Sequence, residues 1–215
     1  MSENYDFLNN AFDGLKKGDV KRFKEICFDI AQTLFKKYCI ECVSDDKKKV
    51  YYFAEIEFYY FKNDIWNDTI TYERDEYSAG TFFYHLSGVD ICFDSKPDEY
   101  GGILIRSIFE IDSNKKKIVT TGPLNCLTII LNSCKNGKMP KLIEVSEQLQ
   151  PKIESTYRYL GDDDQKKIKQ KSGDNKDGDN KLAFFDSSIQ KEEWDSVKKK
   201  DGSKKYYYTH RFVYE

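Results

Sequence analysis

The sequence predicts a mixed α+β fold, on three observations. An amphipathic helical pattern near the N-terminus is followed by a run of strand patterns and then by a second helical pattern. Hydrophobic residues make up 39% of the chain and aromatic residues 15%, which is enough to bury a sizeable, aromatic-rich core. No apolar run approaches the roughly 18 to 20 residues that a bilayer span requires, so no membrane span is predicted.

Two helices are predicted before the first strand. From Asp19 to Tyr38, apolar residues recur at the three-and-four spacing of one helical face, which predicts an amphipathic helix. A shorter helix is predicted from Phe7 to Leu15. Gly18 suits the end of the first helix, and Asp19 suits the N-cap of the second. Together these elements predict an N-terminal helical hairpin.

Strand patterns occupy the middle of the chain. The segment Val50–Lys62, VYYFAEIEFYYFK, is rich in aromatic and β-branched residues and contains neither Gly nor Pro, so it predicts a long strand. Further strands are predicted at Thr81–His85, Val89–Phe93 and Gly101–Ile111. After Pro123, which suits a helix start, the apolar spacing from Leu124 to Cys134 predicts a helix.

The composition changes towards the C-terminus. Residues 161–181 are almost entirely polar or charged, which predicts a mobile polar insertion. Apolar character returns at Leu182–Phe185, and the tyrosine-rich segment Tyr206–Tyr214 predicts a strand that belongs to the same domain. The whole chain, residues 1–215, is therefore predicted to be a single domain.

Charge is distributed unevenly, although the formal net charge is only −2. Residues 51–100 hold eleven acidic side chains against three basic ones, Lys62, Arg74 and Lys96, so this acidic block has a net charge of 3 − 11 = −8. Affinity for nucleic-acid phosphates comes chiefly from Lys and Arg. The acidic block therefore opposes ordinary duplex DNA as a ligand of this region.

The six cysteines predict reduced thiols. The N-terminus lacks the basic start and apolar stretch of a signal peptide, so a cytoplasmic or nuclear location is expected, where disulfides are rare. Cys39 and Cys42 form the sole C-x-x-C pair, and no second pair or suitably spaced His accompanies it. No zinc site and no cofactor are therefore predicted.

Two carboxylates share one face of the long predicted strand. Period-two alternation places Ala54, Ile56 and Phe58 on one face, and Phe53, Glu55, Glu57 and Tyr59 on the other. One interpretation is a sheet whose second face is solvated. The other is a catalytic carboxylate oriented by Arg106, which interrupts one side of an apolar strand and must be paired or reach solvent.

The order of motifs resembles that of the alkyladenine (methylpurine) DNA glycosylase family. The matching segments are Ala54–Tyr59 (AEIEFY) for the family's E-x-E-x-Y-type strand, Asp68–Tyr72 for its D-x-x-x-H segment, Phe82–His85 for its hairpin, Gly101–Ser107 (GGILIRS) for its V-L-L-R-A strand and Thr121–Leu124 (TGPL) for its G-P-x-x-L helix opening. Each motif is weak alone, and their order carries the resemblance.

This resemblance implies a curved antiparallel sheet with an N-terminal helical layer, and a role for each matching residue. Glu57 is implied to be the base that activates water for hydrolysis of an N-glycosidic bond without a metal, with Arg106 beside it. Tyr59 and Tyr72 are implied to sandwich an extruded purine-like base, and Tyr84 to line the pocket. Asp90 lies near the place of a discriminating Asn, where an acceptor-only carboxylate would select a different base edge.

Two alternatives remain open from the sequence. The acidic block favours a non-catalytic module that binds a nucleobase or nucleotide in the same aromatic pocket. A protein-interaction domain that uses surface Tyr and Phe is the other alternative, and it predicts an exposed aromatic patch away from Glu57. His85, a lone His after three aromatic residues, is more typical of a hydrogen-bonded structural residue than of a catalytic one.

Overall fold

A computed structural model describes residues 5–45, 47–68, 71–114, 117–145, 153–159 and 207–214. Two helices and ten strands occur in these ranges: α1 Val20–Lys37, β1 Tyr38–Ser44, β2 Lys47–Lys62, β3 Trp66–Asn67, β4 Phe82–His85, β5 Gly88–Cys92, β6 Glu99–Ile111, β7 Lys117–Thr121, α2 Pro123–Ser133, β8 Lys141–Glu144, β9 Ile153–Tyr159 and β10 Tyr207–Tyr214. The predicted polar insertion at 161–181 and the apolar segment 182–185 lie outside the described residues.

The fold is mixed α+β, with a curled antiparallel sheet that forms a half-barrel. Six strands follow one another in the order β4-β5-β6-β2-β1-β8, and every neighbouring pair is antiparallel. The predicted C-terminal strand is confirmed as β10, which pairs with both β2 and β9. No helix in the described ranges is long and apolar enough to cross a membrane.

The helix predicted from Asp19 is confirmed as α1, and its start has the expected cap. The Asp19 carboxylate accepts a hydrogen bond from the backbone N–H of Arg22 at 3.1 Å. The shorter helix predicted from Phe7 was wrong, because residues 6–14 form turns. Asn10 has a positive φ of 50°, a conformation that interrupts a right-handed helix, yet Phe12 remains buried.

Both helices pack on one face of the sheet. Ile30 of α1 and Ile130 of α2 belong to the same buried cluster as Ile56 of β2 and Ile103 of β6. Aromatic pairs fill much of this core: ring centroids lie 4.0 Å apart for Phe12 with Tyr60, and also for Phe23 with Trp66. The prediction of an aromatic-rich core is confirmed, and the opposite face of the sheet is left for polar groups.

A double irregularity in the pairing of β2 with β6 sets which side chains reach that opposite face. The register with β6 shifts between Phe53 and Glu55, and again between Glu55 and Ile56. Alternation predicted that Phe53 shares a face with Glu57, but Phe53 is 1% exposed and lies in the core with Ile56. That prediction was wrong because a bulge shifts the alternation by one residue.

Candidate functional site

A compact charged cluster lies on the sheet face away from the helices. Arg106 Nε donates to Glu55 Oε1 at 2.8 Å, and Arg106 Nη1 lies 3.3 Å from both oxygens of Glu57. Tyr59 donates its hydroxyl to Glu57 Oε2 at 3.0 Å, and Ser107 donates to Glu55 Oε2 at 3.1 Å. The structure therefore brings together Glu57, Arg106 and Tyr59, and adds Glu55 and Ser107.

The bulge explains how Arg106 reaches both carboxylates. Glu55 pairs with Ser107 and Ile56 pairs with Ile105, so Arg106 has no partner in the β2–β6 register. An extra residue in a strand redirects its side chain. Regular alternation would place Ile108 on the same side as Arg106, but Ile108 lies in the core for the same reason. The Arg106 backbone is fixed by its carbonyl, which accepts from Gly122 N–H at 2.8 Å.

Burial within this cluster is graded. The side chain of Glu57 is fully buried, that of Glu55 is 13% exposed, and that of Arg106 is 25% exposed. One guanidinium faces two carboxylates, so the cluster carries one net negative charge when all three groups are ionised. Because a buried charge is tolerated only when paired and hydrogen-bonded, Arg106 holds both carboxylates in place.

A second charged cluster lies two strands away on the same face. Asp90 Oδ2 accepts from Arg74 Nη2 at 2.8 Å, and Asp90 Oδ1 lies 3.0 Å from His85 Nε2. All three side chains are at least nine-tenths buried. The Arg74 guanidinium also lies 4.4 Å from the ring centre of Phe83. Both oxygens of Asp90 are therefore engaged within the protein, so the resemblance-based role of Asp90 in reading a base edge requires this cluster to open.

The tautomer of His85 follows from its two contacts. The backbone N–H of Ser87 donates to His85 Nδ1 at 3.2 Å, so Nδ1 accepts and Nε2 carries the proton donated to Asp90. The ring of Tyr72 lies 4.5 Å from that of His85, and its hydroxyl is 3.1 Å from Ser87 Oγ. This is the hydrogen-bonded structural arrangement that the sequence favoured for His85.

Arg74 is the main residue that the sequence reasoning missed as part of a site. Its guanidinium packs on Gly102, where an added Cβ would lie 2.5 Å from Arg74 Nη1. The sequence held two signals. Arg74 is one of only three basic residues in the acidic block, and two adjacent glycines, at 101 and 102, lie in a predicted strand later in the chain, where they allow another group to approach the backbone closely. The structure shows that the two signals belong together, because the Arg74 guanidinium packs on Gly102.

The register places the two clusters side by side. Glu57 pairs with Leu104, and Leu104 pairs with Asp90, so the two carboxylates occupy one row of the sheet with a buried leucine between them. Two strand spacings separate their backbones by roughly 10 Å. Tyr59 belongs to the first cluster and Tyr72 to the second, so these two rings, implied to sandwich one base, lie in different clusters.

Tyr84 lies on the other face of the sheet, so the structure does not bring it to Glu57. Its ring packs against the core cluster, and its hydroxyl is buried with no hydrogen-bond partner among the described residues. Burial raises the pKa of Tyr84 to about 12. Tyr84 and Phe82 of β4 and Leu142 of β8 are among the residues that line a cavity of about 460 Å³. The expected placement of Tyr84 failed because neighbouring residues in a strand point to opposite faces.

Neither a metal-binding group among the described residues nor a similar known protein was found. Within the described ranges, no group of three or more His, Cys, Asp or Glu side chains is arranged to hold a metal ion. Comparison of the chain with family models, with curated proteins and with solved structures gives no match to any of them.

Proposed function

We propose that the protein hydrolyses the N-glycosidic bond of a purine-like nucleoside or nucleotide, with Glu57 as the general base. The observation that carries this proposal is the contact of Arg106 with Glu57, 3.3 Å away. This contact lies on the face of the sheet opposite the hydrophobic core. The motif order that resembles alkyladenine DNA glycosylases supports the same assignment. Tyr59 acts as a positioning residue through its hydrogen bond to Glu57.

The charge of the cluster suits this reaction. Hydrolysis passes through a transition state in which positive charge develops on the sugar, as in other glycoside cleavage. Glu57 takes a proton from water, the water oxygen bonds to the anomeric carbon, and the bond from that carbon to the base nitrogen breaks. Before Glu57 accepts the proton, the two carboxylates around one guanidinium leave one negative charge, which stabilises the cation as it develops. The departing base takes up a proton from solvent, and Glu57 releases its proton to solvent.

The second cluster supplies a surface for the base. Tyr72 is 43% exposed, so one face of its ring is available for stacking. The acidic block favours a substrate with few phosphates, and a single nucleoside or a short single strand fits better than a duplex. The substrate class proposed is therefore a purine-like nucleoside, free or in single-stranded nucleic acid.

The decisive experiment compares base release by the wild type and by Glu57→Gln. Alkylated and deaminated bases are offered in single strands, in duplexes and as free nucleosides, and released base is measured by chromatography. Glu41→Gln is the matched control, because Glu41 contacts Lys48 on another strand. We expect base release with the wild type and with Glu41→Gln, and a loss of at least about 100-fold with Glu57→Gln. Equal release by all three proteins would refute the proposal.

A second candidate, a nucleobase-binding module without catalysis, is favoured by the complete burial of the Glu57 side chain. It predicts that calorimetric affinity for a nucleobase or nucleotide is unchanged by Glu57→Gln and lost with Tyr59→Ala. The protein-interaction alternative stays a prediction. Among the described residues, the large apolar side chains that are exposed are aliphatic apart from Tyr72.

A further inference from the structure

The C-x-x-C pair of the sequence cannot close a disulfide in this fold. Cys39 and Cys42 both lie on the extended strand β1, three residues apart. That spacing separates their Cα atoms by about 10 Å and directs their side chains to opposite faces. A disulfide requires Cα atoms within roughly 7 Å of each other. Cys42 belongs to the core cluster under the helices, and Cys39 does not.

Cys42 instead lies against Cys134, at the C-terminal end of α2. The backbone N–H of Lys135 donates to the Val43 carbonyl at 3.2 Å, which places the residues next to the two cysteines in direct contact. The Cys42 thiol lies 3.6 Å from the Ile130 carbonyl, one helical turn before Cys134. The Cys134 side chain also lies close enough to Cys42 to raise the pKa of the Cys42 thiol.

We propose that Cys42 and Cys134 form a redox modification site, in which a low-molecular-weight disulfide such as oxidised glutathione converts the two thiols reversibly into an intramolecular disulfide. Both cysteines are free in the structure, which corresponds to the reduced form. Cys134 is half-buried and Cys42 is fully buried, so the oxidant reaches Cys134 first.

The reaction proceeds in two exchanges. The Cys134 thiolate attacks one sulfur of oxidised glutathione, a mixed disulfide forms, and one glutathione leaves. Cys42 then attacks the Cys134 sulfur, and the second glutathione leaves. The protein thiols lose two electrons and two protons in total, and these convert the oxidant into two glutathione thiols.

The environment of Cys42 orders these steps. Burial, and next the neighbouring Cys134, raise the pKa of the Cys42 thiol well above its ordinary value. Cys134 is therefore the attacking thiol and Cys42 the resolving one.

The bond would attach the end of α2 to β1 and close a loop of about 90 residues, which restricts the unfolded chain strongly. The test incubates the full chain with oxidised glutathione and measures free thiols under denaturing conditions, intact mass, mapped peptides and the thermal midpoint. We expect free thiols to fall from six to four, the mass to fall by two hydrogen atoms, and the midpoint to rise on the order of 10 °C until a reductant reverses the change.

Two variants complete the test. Cys134→Ser changes a half-buried residue, so it should fold, and it should keep five thiols without forming the bond. Cys39→Ser is the matched control and should still lose two thiols. A disulfide that maps to Cys39, a dimer on a non-reducing gel, a wild type that retains six thiols, or a glutathione adduct that persists on Cys134 would each overturn the proposal.

Discussion

Removing the Arg106 guanidinium tests whether it holds the two carboxylates of the first cluster. In Arg106→Met, Glu55 and Glu57 lose contacts of 2.8 Å and 3.3 Å and face each other with little water. Breaking a fully buried ion pair costs about 3 to 5 kcal/mol. Arg106 is 25% exposed, so solvent screening lowers this figure, and we expect a loss of about 2 to 4 kcal/mol in the free energy of unfolding at neutral pH.

Urea denaturation measures this loss, and two further variants isolate its cause. Arg22→Met removes a surface guanidinium whose partner Glu25 is 3.6 Å away, with both side chains about half exposed, and should cost less than about 0.5 kcal/mol. Adding Glu57→Gln to Arg106→Met removes one of the opposed charges and should restore about 1 to 3 kcal/mol. An Arg106→Met loss no larger than that of Arg22→Met would refute the reasoning.

Three further predictions concern other parts of the structure. Gly102→Ala places a methyl group 2.5 Å from Arg74 Nη1, so it should displace that guanidinium and lower the thermal midpoint by several degrees. Tyr84→Phe removes a buried hydroxyl that lacks a partner among the described residues, so urea midpoints should be unchanged or higher, and base release should be unaffected. Burial raises the pKa of Glu99, but hydrogen bonds from Tyr60 and Lys62 outweigh burial and leave this pKa below its ordinary value. The ionised Glu99 therefore stabilises the fold at pH values above its unfolded pKa, near 4.5, and this stabilisation is lost as the pH falls through the pKa of the folded state. In Tyr60→Phe this acid-induced loss, followed by denaturation at several pH values, should be smaller.

Local periodicity was sufficient for α1 and β2 but not for the short helix predicted from Phe7 or for the bulge. The apolar spacing after Asp19 and the aromatic run after Val50 each predicted an element that the structure contains, because both signals depend on neighbours in sequence. The misplacement of Phe53 came from a one-residue shift in strand pairing, which involves a partner about 50 residues away. Nothing in the segment from Val50 to Lys62 distinguishes a bulged from a regular strand.

The candidate site was likewise predictable only in part. The contact of Glu57 with Arg106 was one of two interpretations that the sequence allowed, because each residue is a charge in an apolar strand and a buried charge must be paired. The engagement of Asp90 by Arg74 was not predicted, since Arg74 lies outside the strands and reaches the sheet by tertiary folding. Tyr84 was misplaced by a motif match that aligned the hairpin but did not fix which side chains face the polar surface.

The contacts of the basic residues in the acidic block bear on the substrate. Lys62 is bonded to Glu99 at 3.0 Å, Arg74 to Asp90 at 2.8 Å, and Lys96 to the Asn10 side chain at 3.0 Å. All three cations of residues 51–100 are thus already engaged within the protein, and the net charge of −8 of this acidic block repels phosphates. A site that gains affinity by neutralising phosphates weakens by orders of magnitude between about 50 and 200 mM salt. Binding by base stacking at Tyr72 should instead change less than about threefold over that range, and calorimetric titration of a nucleoside at both salt concentrations distinguishes the two modes.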